Sequence, residues 1–102
     1  MDEHSQRIVI VEEEIRFTLL ELCHACRAER EQVVSLVDEG VLTPSGSGPD
    51  DWRFSGIALR RTRAALRLAR DLELGVAGAA LVLELLDQIE ALKTRLRRAG
   101  MG

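Results

Sequence analysis

The chain has 102 residues, 46% hydrophobic and 30% charged, which suffices for one domain with a buried core and is too short for two. Only 3% of the residues are aromatic, which argues against a platform that stacks nucleic-acid bases. No apolar run approaches the roughly 18 residues of a membrane span, and the charged first residues lack the apolar segment of a signal peptide. We therefore expect a cytoplasmic protein with no membrane partner.

The net charge of −3 is unevenly distributed along the chain. Residues 1–39 carry ten acidic and four basic side chains, a balance of −6, whereas residues 55–75 carry five arginines and two acids, a balance of +3. An acidic N-terminal half disfavours a polyphosphate partner and suits a basic protein surface.

The first elements along the chain are a strand and a helix. β-Branched residues predict a short strand within residues 7–15. Thr18 followed three residues later by Glu21 predicts a capping box, in which each side chain satisfies the other residue's backbone N–H. We expect this box to open a helix over residues 19–26.

A second helix is predicted over residues 28–39 and is ended by Gly40. Its inward residues by helical spacing are Val33, Val34 and Val37, with Leu36 at the margin. Two short helices joined by a tight turn are typical of a helix-turn-helix.

A turn-rich loop over residues 45–51, flanked by two short extended stretches, predicts a small β-hairpin, or wing. Ser55 is placed to cap a third helix that runs to about residue 72. One face of this helix is predicted to point inward: Leu59, Thr62, Leu66 and Ala69. Another carries a basic stripe: Arg60, Arg63, Arg67 and Arg70.

Residues 74–75 break the third helix, and a last helix is predicted over residues 76–99. Apolar residues spaced alternately three and four apart form a coiled-coil seam: Val82, Leu85, Ile89, Leu92, Leu96 and Ala99. Further apolar residues widen the surface of its first half: Ala79, Leu83 and Leu86.

We expect the first half of this helix to pack on its own domain. The second half is too long for that domain to cover, so Leu85, Ile89, Leu92 and Leu96 are predicted to form a homodimer interface. The alternative is a helix folded back on its own core. Residues 8–75 are thus predicted to form a winged helix-turn-helix domain, and the dimerisation helix 76–99 is expected to be part of the same domain. Residues 1–7 are expected to form a flexible N-terminal tail and residues 100–102 a C-terminal tail.

Cys23 and Cys26 have the spacing of one half of a zinc site. Structural zinc usually needs two such pairs, and the chain offers only His24 between them and His4 in the tail. Two buried, reduced cysteines on the inward face of the first helix are the favoured interpretation. No residue pattern indicates catalysis, a metal or a cofactor, and we expect none.

The basic stripe of the third helix suits contacts with DNA phosphates. The alternative interpretation is that the stripe is only a solvated face, whose arginine stems cover apolar surface. In a DNA-binding protein of this kind, the second helix would be the recognition helix. It carries four acids, which the phosphates would repel: Glu29, Glu31, Asp38 and Glu39. We therefore expect weak or no specific DNA binding.

The order of elements resembles the MerR family of winged-helix proteins, through the phrases GVLTP (40–44) and LELG (72–75). A subgroup, the chaperone-modulator family CbpM, is more closely similar. The phrases that carry this resemblance are FTLLELC (17–23), WRF (52–54), DLEL (71–74) and LLDQIEALK (85–93). The resemblance extends over about residues 8–98.

The resemblance implies a mainly α, MerR-like fold and a dimeric adaptor. Such an adaptor binds the J-domain of a DnaJ-like co-chaperone of the CbpA type and inhibits its co-chaperone activity toward DnaK. Because J-domains present a basic helix, an acidic surface could occupy it. We take four acids, on charge and exposure, as candidates for this contact: Glu29, Glu31, Asp38 and Glu39. The alternative is a MerR-family DNA-binding transcriptional regulator that contacts phosphates through Arg60, Arg63, Arg67 and Arg70.

Overall fold

A computed structural model describes residues 15–100 of the chain. It contains four helices in this order: α1 (Leu19–Cys26), α2 (Arg30–Asp38), α3 (Gly56–Asp71) and α4 (Val76–Arg98). α1 packs against both α2 and α3, and α4 packs against α3 and α2. The prediction of a mainly helical fold with a helix-turn-helix at its start is confirmed.

α1 begins and ends where the sequence places it. The Thr18 hydroxyl accepts a hydrogen bond from the Glu21 amide at 3.1 Å, and a Glu21 carboxylate oxygen accepts from the Thr18 amide at 2.9 Å, so the predicted capping box is confirmed. The helix ends at Arg27, whose φ of 53° is left-handed. This conformation turns the chain sharply over residues 27–29 and sets α2 across α1.

α2 is shorter than the predicted helix over residues 28–39. The Ala28 amide donates to the Cys23 carbonyl at 2.9 Å and so belongs to the end of α1. Glu29 then caps α2, and its amide donates to the Gln32 side chain at 2.9 Å. Gly40 ends the helix as predicted, with a φ of +80° that favours glycine.

The core lies where α1, α2 and α3 meet and continues under the first half of α4. Its apolar members come from every element and from the segment after α2: Leu19, Leu22, Val33, Leu36, Val41, Leu42, Phe54, Ala58, Ala65, Ala80 and Leu83. The marginal position predicted for Leu36 is wrong, since its side chain is fully buried. Its carbonyl accepts from the Val41 and Leu42 amides, so the chain folds back over this side of α2. Val34 and Val37 are only partly buried.

The predicted wing is wrong in its extent. Between residues 15 and 100 no strand forms, and the hairpin is reduced to a single antiparallel bridge between Ser45 and Arg53. Pro44 and Pro49 have no N–H to donate to a ladder. Gly46 adopts a φ of +106° against the Asp51 backbone, which turns the chain away from an extended path.

The predicted N-terminal strand falls on residues 7–14, which lie outside the described residues, and on Ile15, which is in no strand. Phe17 instead forms a bridge with Phe54 through two backbone hydrogen bonds of 2.8 and 2.7 Å. Phe54 is buried, and Trp52 packs edge-on against it with ring centroids 5.9 Å apart. This pairing joins the entry to α1 with the entry to α3.

Ser55 caps the start of α3 as predicted, because its hydroxyl accepts from the Ala58 amide at 3.4 Å. The buried side chains of α3 are Ala58, Thr62 and Ala65. The predicted inward face is therefore confirmed at Thr62, and Leu59 packs against the core although it is only partly buried. Leu66 and Ala69 are also only partly buried. Small alanines allow the helices on either side of α3 to approach closely, and the larger leucines pack at the margins of the contact.

The break between α3 and α4 lies close to its predicted place. Glu73 adopts a left-handed φ of 53°, and Gly75 is the N-cap of α4. Arg61 of α3 fixes α4 against the helix-turn-helix. Its Nε donates to the Val41 carbonyl at 3.0 Å, and its guanidinium pairs with Asp87 of α4 at 3.1 Å.

Candidate protein-binding surfaces

All four acids predicted to contact a partner are exposed, but they do not form one cluster. Glu31 and Asp38 are seven residues apart and therefore lie about 20° apart around α2. Glu39 caps the end of the helix. Glu29 lies at the opposite end, roughly 15 Å away along the axis.

Acidic side chains of α4 extend this surface beyond what the sequence indicated. Glu39 lines a small depression of about 220 Å³ together with Glu84, Asp87 and Arg61. Because Arg61 supplies one positive charge against three carboxylates, the depression is net negative. The tertiary contact between α2 and α4 creates it, so no local sequence pattern could have predicted it.

The four arginines predicted as a basic stripe do lie together on α3. All are exposed, and they line a shallow depression of about 380 Å³ with Cys26 and Leu66, here called the arginine basin: Arg60, Arg63, Arg67 and Arg70. The Arg63 guanidinium also donates to the Ala25 carbonyl at 3.4 Å. The basin therefore lies on the side of α1 that carries Cys26.

The predicted seam of α4 lies open to solvent. Its leucines and isoleucine are 45–54% exposed: Leu85, Ile89, Leu92 and Leu96. The buried residues of α4 are Ala79, Ala80 and Leu83, and their mean direction is about 160° around the helix from the seam. α4 thus packs on its own domain with one face and presents a second apolar face, which nothing in residues 15–100 covers.

A fourth surface, at α1, was not predicted from the sequence. Leu20 is 80% exposed and borders a groove of about 430 Å³ between α1, the start of α2 and the loop at Pro49 and Asp50. We call this the α1 groove. The helical spacing contained a sign of it, because Leu20 lies about 100° from Leu19 and therefore off the inward face of α1.

Cys23 and Cys26 are free thiols that are half-buried rather than buried, which corrects the prediction. Burial raises the pKa of both thiols, with Arg30 opposing the shift at Cys23 and Arg63 opposing it at Cys26. Cys23 lines the α1 groove and Cys26 lines the arginine basin. Within residues 15–100, no group of three or more His, Cys, Asp or Glu side chains could hold a metal ion.

No helix among the described residues is long and apolar enough to cross a membrane. Four helices, with a capped helix-turn-helix at the start and a long last helix, are the architecture of a MerR-type helix-turn-helix protein. Residues 17–99 match the MerR HTH family regulatory protein model.

Two relatives refine this class. The chaperone modulatory protein CbpM of Coxiella burnetii (strain Dugway 5J108-111) is 37% identical over 89 residues, which cover 87% of this chain and 84% of that protein. The chaperone modulatory protein CbpM of Pseudomonas putida (strain GB-1) is 35% identical over 80 residues, 78% of this chain and 79% of that protein. The chain belongs to the CbpM family, within the MerR helix-turn-helix proteins. Neither the family description nor the relatives' name denotes an enzyme.

Proposed function

We propose that this protein is a chaperone modulator that binds the J-domain of a DnaJ-like co-chaperone of the CbpA type and inhibits its co-chaperone activity toward DnaK. The observation that carries the proposal is membership of the CbpM family over 87% of the chain. The relatives bear the name of chaperone modulatory proteins, and the partner is an inference from the family resemblance and from charge.

The acidic surface of α2 supports a basic partner. Glu31 and Asp38 share one exposed face, and Glu39 continues it toward Glu84 of α4. No salt bridge within residues 15–100 joins these four carboxylates to a basic side chain. The negative charge of these carboxylates can therefore attract a basic helix, and this attraction would mainly raise the association rate.

We propose also that the protein is a homodimer held by the seam of α4. A face that includes Leu85, Ile89, Leu92 and Leu96, each about half exposed, is the kind of apolar stripe that pairs with a copy of itself. The acidic surface and the α1 groove remain accessible in such a dimer, because the residues that form the seam lie on the opposite side of α4 from its own domain.

The test is binding of a purified J-domain, followed by its stimulation of the DnaK ATPase. The wild-type protein should bind the J-domain and suppress the stimulation. Reversing Glu31 and Asp38 together to Lys should slow association severalfold while the fold stays intact, because both side chains are exposed.

Reversal of Arg63 and Arg67 to Glu is the matched control, and it should leave association unchanged or faster. Binding should also weaken as salt rises. If the arginine reversal abolished binding and the acid reversal had no effect, the partner surface would be acidic and the assignment to α2 would be wrong.

A second candidate function is that of a MerR-type DNA-binding regulator, which the arginine basin favours. Four guanidinium groups around one depression match the chemistry of phosphate contacts. Against it, α2 would bring Glu31, Asp38 and Glu39 toward the DNA backbone. Selection from a random duplex pool at physiological salt tests this function, and we expect no enriched sequence.

A further inference from the structure

The α1 groove has the composition of an anchor site for a protein side chain. Leu20 is the most exposed large apolar residue among the described residues. It does not stand alone, because Cys23, Ala28 and Pro49 line the same groove with further apolar surface. A concave apolar surface of this kind accepts an aliphatic side chain, whereas a single exposed leucine on a convex surface does not.

The rim of the groove is charged. Arg30 and Asp50 line it. Glu31 and Arg30 are both close enough to Cys23 to influence its thiol electrostatically. Asp50 and the nearby Glu31 supply two carboxylates against the one guanidinium of Arg30, so this side of the groove is net negative, and no salt bridge among residues 15–100 neutralises either carboxylate.

The groove is distinct from the α4 seam and from the arginine basin. Its lining comes from α1, the start of α2 and the loop at residues 49–50, and none of it comes from α4, so pairing through the α4 seam leaves it open. It also lies apart from the arginine basin, since Cys23 lines the groove while Cys26 lines the basin.

We propose that the α1 groove anchors a basic amphipathic helix of the partner, with an aliphatic side chain of that helix against Leu20 and its basic residues facing Glu31 and Asp50. This inference rests on the proposed J-domain partner and names the surface that holds it. An apolar anchor within a polar rim is the usual arrangement of a protein interface. In this arrangement the acids steer association, and Leu20 determines how long the complex lasts.

The first experiment measures the affinity of a purified J-domain for variants at Leu20. Leu20→Ala should weaken binding about tenfold, mainly through faster dissociation, because a truncated anchor costs more than a rim contact. Leu20→Met keeps a large apolar side chain and should bind nearly as tightly as the wild type. Leu72→Ala, at another exposed leucine that does not line the groove, should leave affinity unchanged.

The second experiment compares how J-domain binding changes the reaction rates of the two cysteine thiols, one in the α1 groove and the other in the arginine basin. In a Cys26→Ala background, J-domain binding should slow the reaction of Cys23 with a thiol reagent severalfold. In a Cys23→Ala background, the reaction of Cys26 should keep its rate, because Cys26 lies in the arginine basin. Burial raises both thiol pKa values, so the reactions are best followed at mildly alkaline pH, where more thiolate is present.

The outcomes separate this inference from the proposed function. If the wild type binds the J-domain while Leu20→Ala binds equally well and Cys23 is not protected, the groove is not the anchor and the proposed function stands. If the wild type binds no J-domain, both are overturned. If Leu20→Ala changes the sedimentation of the free protein and not its affinity for the J-domain, the groove is a contact between copies of this chain and the inference is wrong.

Discussion

Glu21 makes the stability of the first turn of α1 depend on pH. The Thr18 backbone N–H, and secondarily the Thr18 hydroxyl, lower the pKa of this carboxyl. A carboxyl with a lowered pKa in the folded state stabilises the protein above its unfolded pKa, and this contribution disappears as the pH falls through its folded pKa. Glu21→Gln keeps the acceptor without the charge, so it should be less stable than wild type at neutral pH.

Denaturant unfolding of the two proteins at successively lower pH measures this effect. The difference in the free energy of unfolding between wild type and Glu21→Gln should shrink toward zero as the pH falls. A difference that stayed constant down to acid pH would mean that the carboxylate charge does not contribute to the cap.

Thr62 is a polar residue at a position that the core would fill with an apolar one. Its side chain is fully buried on α3, and its hydroxyl has no hydrogen-bond partner among the described residues. Thr62→Val replaces the hydroxyl with a methyl group of similar shape and should raise the free energy of unfolding by about 1 kcal/mol. Thr62→Ser removes the methyl group and should lower it by about 1 kcal/mol. Destabilisation by Thr62→Val in equilibrium unfolding would show that the hydroxyl is bonded in solution.

At the residue scale, local signals could be read from the sequence and tertiary ones could not. Thr18 and Ser55 bond to amides three residues away, so the spacing alone predicts both caps. The burial of Leu36 depends on the chain folding back from Gly40 to Leu42, and the half-burial of Cys23 depends on how it packs against the core. Helical periodicity alone therefore cannot predict the burial of either residue.

Among the elements, the helices were predictable and the wing was not. A helix is stabilised by bonds within itself, so its caps and periodicity locate it, as with α1 and the start of α3. A hairpin depends on pairing across its turn. Here Pro44, Gly46 and Pro49 restrict that pairing to the Ser45–Arg53 bridge, although the same residues had indicated a turn correctly.

The exposed seam of α4 leads to a prediction about oligomeric state. Ile89 lies near the middle of the seam and is 45% exposed. Ile89→Asp would place a charge at the centre of an apolar interface, where each buried aliphatic side chain contributes roughly 1.5–3 kcal/mol. The variant should sediment as a monomer at concentrations where the wild type is a dimer.

Ala91→Asp is the charge-matched control, because Ala91 is exposed and lies about 160° around α4 from Ile89. It should leave the dimer intact. A dimeric Ile89→Asp variant with unchanged sedimentation would exclude the seam as the interface.

For the whole molecule, the charges of α4 favour one orientation of the two copies. The charged residues before residue 91 are all acids: Glu84, Asp87 and Glu90. Those from residue 91 to the end of the helix are all bases: Lys93, Arg95, Arg97 and Arg98. A parallel pair would place four bases beside their four copies, whereas an antiparallel pair places each acidic half beside a basic half. Antiparallel helix dipoles add to the same preference.

The seam fits this orientation in register. An antiparallel pair centred between Glu90 and Ala91 brings Leu85 to the level of the partner's Leu96, and Ile89 to the level of the partner's Leu92, so every layer of the seam is apolar. A spin label on Arg97 would then lie about 20 Å along the axis from its copy, because the partner's Glu84 occupies the level of Arg97. In a parallel pair the two labels would lie side by side. Labelling in a background without Cys23 and Cys26, followed by measurement of the distance between labels, distinguishes the two, and a single short distance would contradict the antiparallel arrangement.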